Sequence, residues 1–274
     1  MKHALEQSCN VAQAQCVEKL GLSRFYNYLD GFGMTVKTGV ELPAEASPIL
    51  IDEEDAVPLD LAASAIGQGN AYTAIQMITA FCSVVNGGKL MKPQIVSKIV
   101  DADGNVTSQM EPEVVRQVIS EDTSAQMRDM LEGVVEEGLG TPAAVPGYRV
   151  GGKTGTAEIA SGGSYQEGNY ILSFVGFAPV ENPKYACIVI VDSPASGGNS
   201  GTLAGGIFSE IMENTLNYYE VPQTETISTD DENVTEAEEV ETVTVPDIEK
   251  AANAEEARAL MVEAGLNVDF VSSG

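Results

Sequence analysis

Three features of this sequence predict an α+β fold (an α/β sandwich) in which an antiparallel sheet is flanked by helices. Thr73 to Val85 and Ser120 to Glu137 carry apolar residues at helical spacing, and each stretch is closed by glycine. Tyr170 to Ala178 and Tyr185 to Asp192 are instead rich in β-branched and aromatic residues, which suit a pleated, half-buried surface. Pro179 to Lys184 between them has loop chemistry suited to a hairpin, so the two strands run antiparallel.

The elements follow in order. Residues 4 to 20 hold Leu5, Val11, Cys16 and Leu20 with no internal Pro or Gly, which predicts a helix ending at Gly21. Ser23 to Asp30 fits a second, short helix closed by Gly31 and Gly33. The stretch with Pro43, Pro48 and Pro58 reads as irregular surface chain. Thr73 to Val85 stops at Asn86-Gly87-Gly88, and Ile95 to Val100 with the turn Asp103-Gly104 suggests a small strand pair. Ser120 caps the next helix. Val150 to Ile159 is expected as a strand preceding the hairpin, and Leu203 to Tyr219 as a closing helix.

Charge divides the chain. Of 274 residues, 41 are acidic and 14 basic, a net charge of -27 that argues against nucleic acid, whose phosphates are bound by Lys and Arg. Eleven acidic residues and no basic one fall between Glu220 and Glu249, the mark of a solvated linker. Three segments are therefore expected: 1–219, an acidic linker 220–242, and a fresh compact pattern in 243–274. Cys9, Cys16, Cys82 and Cys187 contain no CxxC pair and read as structural thiols. His3 is the single histidine, which excludes a Ser-His-Asp triad and a multi-histidine zinc site. Neither a metal nor a cofactor is expected. No run of about 18 apolar residues suggests a membrane span, and Met1 opens no signal peptide.

The densest chemistry lies in Gly151-Gly-Lys153-Thr-Gly-Thr-Ala-Glu158. Gly147 to Thr154 satisfies the phosphate-loop spacing G-x-x-x-x-G-K-[ST], and Ile188 to Asp192 passes for the apolar strand that ends in a magnesium-binding Asp. A phosphate loop needs a buried strand before it and a helix starting at the Lys-Thr. Pro142 and Pro146 disfavour the strand, and Gly155 with Gly162-Gly163 disfavours the helix. A second reading asks less. In an edge-facing strand, Gly152 and Gly155 let a peptide backbone lie close, Lys153 offers a point charge for a carboxylate, and Thr154 and Thr156 add hydroxyl donors. A plain structural strand with an exposed lysine would leave two threonines and three glycines unexplained.

A Lys-Thr-Gly strand is one of three motifs of the penicillin-recognising serine enzymes, with S-x-x-K and a Ser-x-Asn-type triplet. Ser8-Cys9-Asn10 fits the triplet and opens the apolar helix Val11 to Leu20. Ile66-Gly-Gln-Gly69, Thr73 to Met77, Asn86-Gly-Gly88 and Phe174 to Pro179 resemble segments of high-molecular-weight penicillin-binding proteins. Over residues 4 to 219 the chain is therefore identified as resembling class B penicillin-binding proteins of the division or sporulation type. Val245-Pro-Asp247, Ala254 to Ala257 and Glu263 to Leu266 look like the first half of a PASTA domain.

The resemblance implies a penicillin-binding transpeptidase, serine β-lactamase-like fold, present in part. It implies peptidoglycan D,D-transpeptidation by an acyl-serine mechanism, with D-Ala-D-Ala stem peptides and β-lactams as ligands. Ser8 would relay protons between the general base and the leaving amine, and Asn10 would hydrogen-bond the acyl-donor peptide. Lys153, Thr154 and Thr156 would bind the D-alanyl carboxylate beside Gly155, and the Thr156 backbone N–H would form half of an oxyanion hole. The family setting is the extracytoplasmic face of a Gram-positive-type membrane, with a glycosyltransferase of the divisome or spore cortex as partner and an upstream anchor. No serine in the chain has a lysine three residues on, so the nucleophile is expected to fall before Met1. The chain then reads as a fragment cut at both ends, its first helix bared of a packing partner. A non-catalytic muropeptide or β-lactam binding module is the alternative, with a nucleotide binder last.

Overall fold

The computed structural model describes residues 1–161, 164–194 and 199–224. The PASTA-like pattern and nearly all of the acidic linker lie outside the described residues. Among them the chain runs α1 (Lys2–Glu6), α2 (Asn10–Leu20), α3 (Leu22–Gly31), α4 (Pro58–Ala65), α5 (Ala74–Val85), β1 (Lys89–Met91), β2 (Lys98–Val100), β3 (Val106–Gln109), β4 (Val114–Gln117), α6 (Glu121–Glu136), β5 (Gly151–Ser161), β6 (Ser164–Ala178), β7 (Tyr185–Asp192) and α7 (Gly206–Tyr218).

Two signals set most of the boundaries. Thr73 Oγ1 accepts from Gln76 N while the Gln76 carboxamide accepts from Thr73 N, a capping box that starts α5. Ser120 caps α6 by accepting from Thr123 N at 3.1 Å. The main sheet has the order β5-β6-β7, antiparallel throughout, with β5 at its edge. The predicted hairpin and edge strand are both present.

The period of two along β6 divides the core. Phe174 points to one face, where it packs on Phe208 of α7 with ring centroids 4.8 Å apart; both rings are fully buried. Phe177 points to the other and meets Val85 of α5 and Leu131 of α6. Helices therefore cover both faces, which is the sandwich the sequence predicts. Beneath β5, Arg149 clamps the buried Glu132 of α6, with Nε 2.5 Å from Oε1 and Nη2 2.6 Å from Oε2; its Nη1 reaches Glu181 at 2.8 Å.

Three expectations need correction. The single helix over 4–20 is two helices, because Ser8 takes a left-handed backbone (φ 49°) that no continuous α-helix allows. The proline-bearing stretch is not wholly irregular: Pro58 opens α4, where its missing N–H is no loss. The strand pair is shorter than expected on its first side (Lys98–Val100), and β1 and β4, unforeseen, pair with each other. Apolar surface is exposed on α2 and α4. Val11 is 67% exposed and Leu59 76%, and an apolar groove of about 560 Å³ runs between α2 and α4 past Ala14, Val17, Leu61 and Ala62.

Candidate active site

Residues of β5 inherit their directions from their partners on β6. Thr154 pairs with Phe174 and Thr156 with Leu172, so both face the α7 side. Lys153 pairs with Val175 and faces the side of α1, α2 and α6. Closeness dictates Gly152 and crowds Gly155. A Cβ on Gly152 would strike the Phe174 ring, which is boxed in by Phe208, and one on Gly155 would lie 2.5 Å from Ser173 Oγ.

Ser8 reaches the strand from the α1–α2 break. Cys9 N donates to Ala4 O at 2.8 Å and Leu139 N to Glu6 O at 3.1 Å, tying the turn to α1 and to the end of α6. The left-handed residue swings the Ser8 side chain out of the helix line, toward β5. Lys153 Nζ donates to Ser8 Oγ (2.9 Å), the Thr154 carbonyl oxygen (3.1 Å) and Thr154 Oγ1 (3.2 Å). Three donors thus meet three acceptors. None of those acceptors carries a full charge, and burial lowers the Lys153 pKa from its ordinary 10.5.

A cleft of about 600 Å³ opens beside this contact. Ser8, Asn10, Thr154, Gly155 and Thr156 line it, together with Ile66, Gln68, Leu139, Thr141, Asn199, Ser200 and Thr202. Among the described residues that line it, none is acidic. The cleft offers hydroxyls, amides and a nearby ammonium, a set that suits an anionic or peptide ligand. Among the described residues, no group of three or more His, Cys, Asp and Glu is placed to hold a metal ion. The phosphate-loop reading fails on geometry: Lys153 and Thr154 sit inside an eleven-residue strand, and no helix begins there.

The structure therefore gathers every site residue read from the sequence around one cleft, with Ser8 and Lys153 in contact across 145 residues of chain. Asn10 is exposed at the first position of α2 and lines the cleft rather than packing behind it. The α7-side wall was not foreseen. Ser200 Oγ lies 3.0 Å from Thr156 Oγ1, and neither residue type nor spacing marks a serine near 200 as different from others. Gln68 was legible only as part of the Ile66 to Gly69 pattern.

Comparison with known proteins decides the family. The family described as penicillin binding protein transpeptidase domain matches residues 1–213. The chain belongs to the penicillin-binding transpeptidases. It is 42% identical over 214 residues to stage V sporulation protein D of Bacillus subtilis, covering 77% of this chain and 33% of that protein. It is 34% identical to the penicillin-binding protein PbpB of Mycolicibacterium smegmatis, covering 79% and 35%. The crystal structure of penicillin-binding protein 3 from Mycobacterium tuberculosis, complexed with ampicillin, superposes with a TM-score of 0.77 at 30% identity, over 83% of this chain and 53% of that one. The chain spans about a third of the length of these curated relatives. In this chain the Lys-Thr-Gly strand and the Ser-x-Asn turn meet beside the cleft, through the contact of Lys153 with Ser8.

Proposed function

We propose that this chain supplies the carboxylate-binding wall of a peptidoglycan D,D-transpeptidase and so serves peptide cross-linking in the cell wall. The observation that carries the reading is the Lys153–Ser8 contact at 2.9 Å, made beside a cleft that no carboxylate lines among the described residues. Residues 1–219 are the C-terminal portion of the transpeptidase domain in this reading. The ligands are D-Ala-D-Ala stem peptides and the β-lactams that mimic them. The site of action is the outer face of the cell membrane.

The roles follow from chemistry at stated atoms. Lys153 Nζ exchanges its Thr154 contacts for the terminal carboxylate of the peptide, which the Thr154 and Thr156 hydroxyls help to hold. Gly155 leaves room for the peptide backbone to lie along the strand edge, and Asn10 offers an amide to the acyl-donor peptide. Ser8 Oγ accepts from Lys153, so its own hydrogen is free to turn into the cleft as a donor to the peptide. No serine of the chain has a lysine three residues on, so no acyl-serine step is assigned to it. A second reading, a non-catalytic muropeptide or β-lactam binding module, rests on the same polar cleft. Both readings share the same wall.

The test is calorimetric titration of the full chain with a diacetyl-tripeptide ending in D-Ala-D-Ala and with its carboxamide. Saturable binding of the acid, weakened about 10- to 100-fold in Lys153→Met, is expected from loss of a charge-assisted contact. Equal affinity for acid and amide, or a Lys153→Met variant that binds as well as the parent, refutes the carboxylate wall.

A further inference from the structure

The α7-side wall of the cleft holds a polar group that the Lys153 contact does not explain. Ser200 is 6% exposed, and its Oγ lies 3.0 Å from Thr156 Oγ1. Its position is fixed from both sides. Asn199 Oδ1 accepts from Thr202 N at 2.8 Å, closing the turn that leads into α7. Gly201 sits so tightly on the Leu139 carbonyl that any side chain there would collide with it. Thr156, by contrast, is an exposed strand residue with an open side toward the cleft.

A threonine hydroxyl has one hydrogen and two lone pairs. When Thr156 donates that hydrogen to Ser200, it offers the cleft only an acceptor, which repels an anion. When Ser200 donates to Thr156, the Thr156 hydrogen turns outward, and a hydroxyl that accepts one bond is a stronger donor in the next. The buried serine can supply that hydrogen because its oxygen is held at hydrogen-bond distance from Thr156. We propose that Ser200 is a positioning residue that makes Thr156 a donor aimed at the terminal carboxylate of a peptide in the cleft. The inference rests on the carboxylate reading of the Lys153 strand.

Full-length chain is titrated with the D-Ala-D-Ala tripeptide and its carboxamide in four forms: parent, Ser200→Ala, Thr156→Val and the double variant. Ser200→Ala is expected to weaken binding of the acid about 3- to 10-fold, the size of one hydrogen bond, and to narrow the preference for acid over amide. In the Thr156→Val background, Ser200→Ala should add almost nothing, because the serine acts through the hydroxyl already removed. A merely structural serine would lower the melting temperature and weaken acid and amide alike in both backgrounds. Unchanged acid affinity in Ser200→Ala, or additive losses in the double variant, overturns the inference alone. Failure of the parent to bind the acid overturns the carboxylate wall and this inference together.

Discussion

Replacing Arg149 by methionine tests how the lysine strand is held. Arg149 stands two residues before β5, takes Thr224 Oγ1 at its own N–H (3.0 Å), and accepts Val180 N at its carbonyl (3.0 Å). Its guanidinium grips the Glu132 carboxylate with two bonds, and that side chain is only 5% exposed. The Glu132 hydrogen bond, then the one to Glu181, holds the guanidinium above its ordinary pKa. Arg149→Met leaves the Glu132 charge buried without its partner, an error that costs about 3–5 kcal/mol. The Arg149 side chain is itself 37% exposed, so water can reach the vacated space, and the lower end, about 3 kcal/mol, is expected. That is a large share of the ~5–15 kcal/mol by which domains are stable. In urea it should move the midpoint down by about 1 M at an unchanged slope. The double variant Glu132→Leu/Arg149→Met removes the charge together with its partner and should recover most of the loss. A single variant that loses less than about 1 kcal/mol, or a double variant less stable than the single, refutes the account of this pair as an anchor.

Four further outcomes are expected. The folded Lys153 pKa lies below the ordinary 10.5, so between the two values the unfolded chain binds more protons and this group's contribution to stability rises with pH; in urea melts across that alkaline window the parent should gain stability relative to Lys153→Met as pH rises, and a difference that stays flat refutes the shift. Gly152→Ala forces a methyl group into the Phe174 ring and should cost about 1–3 kcal/mol, while a loss under half a kcal/mol would mean that the ring can retreat. Fluorescent penicillin should leave no covalent adduct on the chain by intact mass, since no serine is followed by a lysine at the third position. Burial raises the thiol pKa of Cys82 and Cys187, so a thiol reagent at neutral pH should take the exposed Cys16 first and reach those two only as urea unfolds the chain.

What the sequence disclosed and what it hid have a common physical origin. Capping residues and glycine stops are local, so α5 and α6 were legible nearly to the residue at Thr73 and Ser120. The hairpin was legible because Pro179 to Lys184 joins two β-branched runs at close range. Ser8 was hidden as a helix break because nothing in Gln7-Ser8-Cys9 forbids a helix; the break is imposed by the tie of Leu139 N to Glu6 O, a contact 133 residues away. β1 and β4 were hidden for the same reason. Each has three or four residues, too few to show a period, and they find one another only after the chain has turned through β2 and β3.

The cleft shows where motif reading stops. A pattern such as Lys153-Thr154-Gly155-Thr156 names the residues on one strand, and the period of two then sends Lys153 to one face and the threonines to the other. Each face must therefore find its own supporting residue. On the α6 side the support is Ser8, which belongs to a recognisable triplet and was found from sequence. On the α7 side it is Ser200, held by a turn into a helix, and no triplet announces it. Both are serines at hydrogen-bond distance from a side chain of the same strand, so a ligand along the edge of β5 would be met from two sides. The edge position of β5 makes this possible: a central strand would have spent both of its flanks on neighbouring strands. The glycines keep the edge bare and the hydroxyls make it polar. Ser8 and Ser200 govern which way the Lys153 and Thr156 hydrogens point.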